Sequence, residues 1–309
     1  MIIDQQYLPP SELQRKTYTV DDKQFIFDSR GCVSETIENA GSQSLNKKIT
    51  LGVLPDPDIK WLDDNNFIDE NGKVNFAGRE LAKRSGTTKE GNFLWDVAQA
   101  STEGLVAEKL YPWPDPGEDG RVDWDEYYCP LPEEVKKQRE EFKKRFAVDV
   151  EWVKKENYFS FFEKDISLAF VGYAWVRHED KYDGLYYRPP GKESNHAFLG
   201  IGGSKKEDGQ IEKFIIFDTY EPFQKEVHPD NVNDWAIKVE IISKNSFMDV
   251  ENFKQKHANK ILRNAETGAY GVIYEKEDGE GFEAYHIPEE RAGLFVIDRE
   301  ARGIIGQFS

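Results

Sequence analysis

Two cysteines stand in a chain of 309 residues, and one of them has a setting that suits chemistry. Cys32, in "DSRGCVSETIENAG" (28–41), follows a glycine. It opens a segment in which Val33, Ile37 and Ala40 recur at i, i+4 and i+7, the stripe of a helix with one buried face, and Gly41 reads as its stop. A thiol at a helix N-terminus meets free N–H groups and the positive end of the peptide dipoles, both of which stabilise a thiolate. The backbone N–H of Cys32 then points where a tetrahedral oxyanion would form. Cys129, in "EYYCPLP", precedes proline and has no helix after it, so it reads as a structural thiol.

A thiol nucleophile needs a base, and the chain has five histidines. His178 ("RHEDKYDG") and His228 ("EVHPDN") lie in polar turns, His257 on a polar helix and His286 in the C-terminal part, all settings of solvated side chains. His196 opens the strand-like "HAFLGIGG", which is followed by the turn "SKKEDGQ" and the returning "IEKFIIFD". A hairpin centred on Glu207 places His196 opposite Asp218. Directly opposed residues share a face with Cβ atoms about 5 Å apart. A carboxylate there can accept the imidazole Nδ1–H, fix its tautomer and stabilise the imidazolium. No helix follows "GIGG", so these glycines suit close approach of another chain segment better than a phosphate loop.

The elements that must position these groups divide the chain. An extended arm over 1–27, with "LPP" and the strand-like "TYTV", precedes a helical half over about 28–146. Within it "DPDIKWLDDNNFIDENGK" (56–73) reads as an acidic loop whose Gly72 does not fit the sixth place of a calcium loop. Helices are expected over 75–84, over 90–104 with Phe93, Val97 and Ala100 on one face, and over the charged 132–146. From about 158 to 246 β-rich runs alternate with turns. The chain is therefore read as α+β, with residues 1–246 as one domain and 247–309 as a small appended α+β unit carrying a helix and the strands "AYGVIYE", "FEAYHI" and "LFVID".

Composition excludes several classes. A net charge of −17 is wrong for a phosphate-binding face or for docking on anionic lipid, so neither nucleic acid nor a membrane is an expected partner. Hydrophobic residues at 38% and aromatics at 13% support a folded core. Cysteines 97 positions apart (129 − 32) are no disulfide framework, and no Cys/His cluster has metal-ligand spacing. The start "MIIDQQYLPPSELQRK" lacks the pattern of a signal peptide, and no run is long enough to span a membrane, so synthesis in the cytoplasm is expected. "MIIDQQYLPP" is also too short for an inhibitory prosegment.

With these contexts, the order Cys, His, Asp resembles the papain-like cysteine peptidases, over about residues 8–242. "GCVS" is similar to the nucleophile motif of divergent bacterial and phage members. "EGNFLWDVAQASTEGLVAEKLYPW" resembles the Gly-rich segment and helix, and "DGLYYRPPGKESNHAFLGIGG" the block that carries the base. "FIIFDTY" stands where the family has a strand ending in Asn-Ser-Trp.

The resemblance implies a fold with a helical left half and an antiparallel sheet or barrel on the right. It makes Cys32 the nucleophile, His196 the base and Asp218, in place of Asn, the orienting third member. Tyr220 would shield the triad from water, and Gly91, Asn92 and Asn195 would line the substrate cleft. The family's oxyanion glutamine should lie six positions before the Cys, where this chain has Ile26. Gln24 could fill the role if "FIFDSR" bulges by two residues. A rival alignment puts Glu35 at the nucleophile position and gives a dead enzyme.

The implied activity is cofactor-free hydrolysis of peptide bonds in a polypeptide substrate through a thioester. The alternatives are amidase or transglutaminase-like chemistry on the same fold, or a weakly active domain serving as a structural component, for example of a phage particle. In that last case the protein would be virion-associated, with 247–309 contacting a protein partner.

Overall fold

The computed structural model describes residues 1–10, 13–177, 182 and 184–244, and beyond them the backbone of three strands. The elements before the sheet are β1 (Arg15–Val20), β2 (Lys23–Asp28), α1 (Cys32–Thr50), α2 (Asp56–Asp64), α3 (Gly78–Arg84), α4 (Leu94–Ser101), α5 (Trp124–Tyr127) and α6 (Glu133–Arg145). They are followed by β3 (Phe146–Lys154), α7 (Tyr158–Phe162), β4 (Leu168–Gly172), β5 (Val176–Arg177), β6 (Tyr186–Tyr187), β7 (His196–Lys205), β8 (Ile211–Phe217), β9 (Gln224–Val227) and β10 (Trp235–Ser243). The fold is mixed α+β, helical first and β-rich second.

Two compact units are present, one comprising residues 1–46 and 62–242, the other residues 47–61 and 243–309. In the first, an eight-stranded sheet runs in the order β3-β10-β4-β7-β8-β9-β6-β5. The central pairs β4–β7, β7–β8 and β8–β9 are antiparallel, while β6 pairs with β9 in parallel. In the second unit β11 (Ile261–Arg263), β12 (Tyr270–Glu275) and β13 (Phe282–Ile287) form an antiparallel sheet in that order. The expected helix around Met248–Leu262 lies outside the described residues, except that Ile261 and Leu262 belong to β11. The expected strand "LFVID" also lies outside them.

Three local expectations are corrected. Residues 15–28 are not an extended arm but a regular hairpin, β1 on β2, closed at Asp21 and Asp22 with φ of 49° and 61°. Two left-handed residues in succession match the tight two-residue turn that suits the twist of paired strands. The acidic segment expected as a loop holds helix α2 in its first half. Gly41 does not stop α1, which continues to Thr50. Its missing side chain serves packing, because a Cβ there would lie 3.2 Å from Ile241 Cδ1 and 3.5 Å from the Phe76 ring.

α1 is buried on nearly every side, not along one stripe. Its polar side chains are therefore satisfied inside the protein. Gln43 Nε2 donates to Asp165 O (2.7 Å), Asn46 Nδ2 to Tyr7 O (3.2 Å), and Val74 N and Ile241 N donate to Asn46 Oδ1 (2.7 Å) and Ser44 Oγ (3.1 Å). A helix pinned at so many points fixes the position of its first residue, Cys32.

The glycines of "HAFLGIGG" permit close approach in the sheet. A Cβ on Gly200 would fall 2.3 Å from the Phe170 ring, and one on Gly202 would fall 2.5 Å from Met1 O. β7 pairs with β4 as far as Gly200. Beyond that point Ile3 N donates to Ile201 O and Gly203 N to Met1 O, both at 2.8 Å.

Candidate active site

The turn before Cys32 is built by side-chain bonds to its own backbone. Asp28 Oδ1 accepts from Arg30 N (3.0 Å), and Ser29 Oγ accepts from Gly31 N (3.2 Å). Arg30 is held in the left-handed region at φ 56°, a conformation that costs a non-glycine residue energy and persists where the surroundings impose it. Tyr128 Oη donates to Ser29 O (2.6 Å), and Glu35 N donates to Gly31 O (2.9 Å) as the first turn of α1 begins. Cys32 is thus the first helical residue, 9% exposed, at the end where backbone N–H groups are free.

His196 opens β7 and is buried. Its Nε2 lies 2.7 Å from Asp218 Oδ1, and the Cys32 side chain is close enough to act on its charge. The expected tautomer is therefore corrected: the carboxylate takes Nε2, which leaves Nδ1 for the sulfur. Burial by itself pushes the imidazole pKa down. The hydrogen bonds to Asp218 and Cys32, with the negative charge of both, outweigh it and hold the value up at about 9. An imidazolium at neutral pH is the state that supports a neighbouring thiolate.

The hairpin register also differs from the expected one. Leu199 pairs with Phe217 and Gly200 with Ile216, so Asp218 falls beside Phe198, two residues from His196. The pair meets diagonally on one face of the sheet. Diagonal neighbours are about 7–8 Å apart at Cα, a span that an imidazole and a carboxylate bridge together.

Tyr220 lies over the imidazole with ring centroids 5.2 Å apart, and its Oη donates to Asp28 Oδ2 at 2.9 Å. Trp175, which the sequence reading did not single out, covers another side at 5.2 Å, edge to face. Its Nε1 is buried and has no hydrogen-bond partner among the described residues. The aromatic character of "GYAWV" beside the strand was the available signal.

Glu35 of the rival alignment sits in the first turn of α1, where its carboxylate fills the space a Gly78 side chain would take. Cys129 is a free thiol whose sulfur accepts from Arg79 Nη2 (3.3 Å), apart from the site.

Gln24 lies in β2 near its turn, paired with Thr19 and exposed. The pairing from Arg15↔Asp28 to Val20↔Lys23 is unbroken, so the bulge that would bring Gln24 to Cys32 does not exist. Gln14, which the sequence reading passed over, is placed differently. It is 2% exposed, and its backbone flanks the hairpin, with O accepting from Ser29 N (3.1 Å) and N donating to Thr219 O (3.3 Å). Its side chain donates from Nε2 to Asp28 Oδ1 (2.9 Å) and accepts from Thr219 Oγ1 (3.1 Å). Gln14 thus opposes Ser29 and adjoins the residue after Asp218. Burial tends to raise the Asp28 carboxyl, but bonds from Gln14, Arg30 N, Arg15 and Tyr220 hold it below the ordinary carboxylate range.

The residues expected to line the cleft have structural occupations. Gly91 closes a tight turn with Thr88 at φ 102°, and a Cβ there would meet nothing within 4 Å. Asn92 Nδ2 holds Ser85 O (3.1 Å) and Ser85 Oγ (3.0 Å). Asn195, exposed, accepts from Ala174 N at 2.9 Å through Oδ1. Phe93, expected on the buried face of α4, is 77% exposed at its N-cap, and Leu94, Val97, Ala98 and Ser101 form that face instead.

No family profile matches the chain, and no curated protein matches it. Among solved structures it is similar to the digestive procathepsin L2 proteinase of Tenebrio molitor larval midgut, at 13% identity and a TM-score of 0.42, covering 77% of this chain and 66% of that one. It is also similar to bromelain of Ananas comosus in complex with the E64 inhibitor, at 12% identity and a TM-score of 0.43, covering 77% and 94%. A third likeness is the clostridial cysteine protease Cwp84, at 12% identity and a TM-score of 0.48, covering 78% of this chain and 57% of that one. No helix among the described residues is long and apolar enough to cross a membrane.

Proposed function

We propose that the chain is a thiol peptidase of the papain-like kind. The observation that supports this most is the buried His196, with Nε2 on Asp218 and the Cys32 side chain near enough to raise its pKa. In this reading the Cys32 thiolate attacks a peptide carbonyl carbon, and the carbonyl π electrons move onto oxygen. The backbone N–H of Cys32 receives that oxyanion, and the Gln14 carboxamide is the second donor. The proton on His196 Nδ1 passes to the leaving amine as the C–N bond breaks. Water, deprotonated by the now neutral imidazole, then cleaves the thioester and restores the thiol. Asp218 keeps Nε2 protonated throughout, and Trp175 and Tyr220 keep water off the imidazole.

Gln14 answers the absence of glutamine at position 26. The hairpin over 15–28 leaves the chain and returns to the same point, so Gln14 is near Ser29 despite its distance in sequence. Hydrolysis of a fluorogenic peptide library tests the proposal. Activity lost in both Cys32→Ala and His196→Ala, with folding intact, supports it. Equal activity in the Cys32→Ala variant contradicts it.

A further inference from the structure

We infer that Lys225 is a positioning residue of this site: with Asp218 it forms a neutral carboxylate–ammonium couple on which the His196 imidazole rests. The inference rests on the thiol-peptidase reading above. His196, Asp218 and Lys225 come from three adjacent strand positions on one face of the sheet. Asp218 N donates to Phe223 O (2.7 Å), continuing the β8–β9 ladder in which Ile216 pairs with Lys225. Asp218 is therefore central, with His196 diagonal to it across β7 and Lys225 diagonal to it across β9.

The carboxylate is divided between them. Oδ1 faces His196 Nε2 at 2.7 Å, and Oδ2 accepts from Lys225 Nζ at 2.6 Å. The two side chains of the Lys225–Asp218 pair are 1% and 0% exposed. An ammonium has three N–H donors, and Lys225 places them on Asp218 Oδ2, Pro222 O (2.6 Å) and Tyr220 O. It also lies 5.0 Å from the centre of the Trp175 ring. One buried cation thus holds the carboxylate and the backbone of Tyr220, and it touches Trp175. The last two are the aromatic residues that cover the imidazole.

Electrically the couple acts as a neutral acceptor. A bare buried carboxylate would bind the imidazolium more tightly. The cationic partner moderates that, so the imidazole can give up its proton in the catalytic cycle. Burial lowers the pKa of Lys225, and the Asp218 charge opposes this. Among the described residues, the ionisable groups facing this cluster are Cys32 of α1, Tyr220 with Asp28 of β2 and Arg15 of β1 behind it, and Arg177 of β5.

The couple changes what a conservative substitution does. Asp218→Asn looks mild, since an amide can also accept from an imidazole, but it strands a buried ammonium beside the site. The test is titration of the His196 imidazole by NMR, with peptide turnover, in Lys225→Met, Asp218→Asn and the double variant. Lys225→Met is expected to move the imidazole midpoint upward by about one unit or more. The double variant is expected to turn over substrate at least about tenfold faster than Asp218→Asn alone, because losses at coupled sites do not add. An unmoved or lowered midpoint in folded Lys225→Met overturns the inference. If that variant does not fold, a double variant no faster than Asp218→Asn overturns it. Failure of Cys32 to react as a nucleophile in the unaltered protein would instead count against the peptidase reading, while the imidazole midpoint would still report on Lys225.

Discussion

At the scale of single residues the proposed site is a row of ionisable side chains, Cys32, His196, Asp218 and Lys225. Its first three members predict a pH dependence. The folded imidazole has its pKa raised to about 9, against about 6.5 for a free histidine. The imidazolium therefore contributes stability fully below about 6.5, and that contribution disappears as pH rises through about 9. Peptide turnover should fall over the same alkaline range, because His196 then lacks the proton for the leaving amine. A pH–rate profile with no alkaline limb near 9 would remove His196 as the acid. At the same scale, Gln14→Ala should lower kcat by about 10²-fold, the usual loss of one oxyanion donor, and leave alkylation of Cys32 nearly unchanged. Parallel measurement of turnover and alkylation separates the two effects. Alkylation lost along with turnover would indicate that Gln14 shapes the turn at Ser29 instead.

At the scale of elements, rigidity near the site comes from α1 and from the β7–β8–β9 face. Gly41→Val should destabilise the protein by about 1–3 kcal/mol, since the added methyls meet Ile241 and Phe76 where a single Cβ is already tight. Thermal or denaturant unfolding checks this, and an unchanged midpoint would show that α1 can shift outward. These elements also show what the sequence made legible. The hydrophobic stripe after Cys32 marked where α1 begins, since start signals are local. Its end was misread at Gly41, because close packing from distant residues outweighs a local stop. The strands carrying His196 and Asp218 were recognisable from alternation and turns. Their register was not, because the turn is centred on Asp208, one residue beyond the expected Glu207, and this moves the pairing by two without altering the pattern of residue types. His196 and Asp218 still meet after a two-residue slip because such a slip preserves the face. Gln14 and Lys225 were missed because a hairpin separates one from Cys32, and because a lone lysine in "PFQKEV" looks solvated until its strand neighbours are known.

At the scale of the molecule, every residue assigned to the site lies in the unit formed by residues 1–46 and 62–242. Removal of residues 247–309 is therefore expected to leave the reactivity of Cys32 intact in a folded product. A well-folded truncation with an inert Cys32 would show that the second unit takes part in the site. The net charge of −17 bears on solubility and encounter and not on this chemistry. The central claim is that His196 and the head of α1 make Cys32 a nucleophile, and the second free thiol supplies a reference within the same molecule. The direct measurement is alkylation of native protein by iodoacetamide at mildly acidic pH, with both cysteines quantified by mass spectrometry. Cys32 is expected to label much faster than Cys129 and to lose that advantage in His196→Ala. Equal labelling of the two cysteines in the unaltered protein would contradict the account.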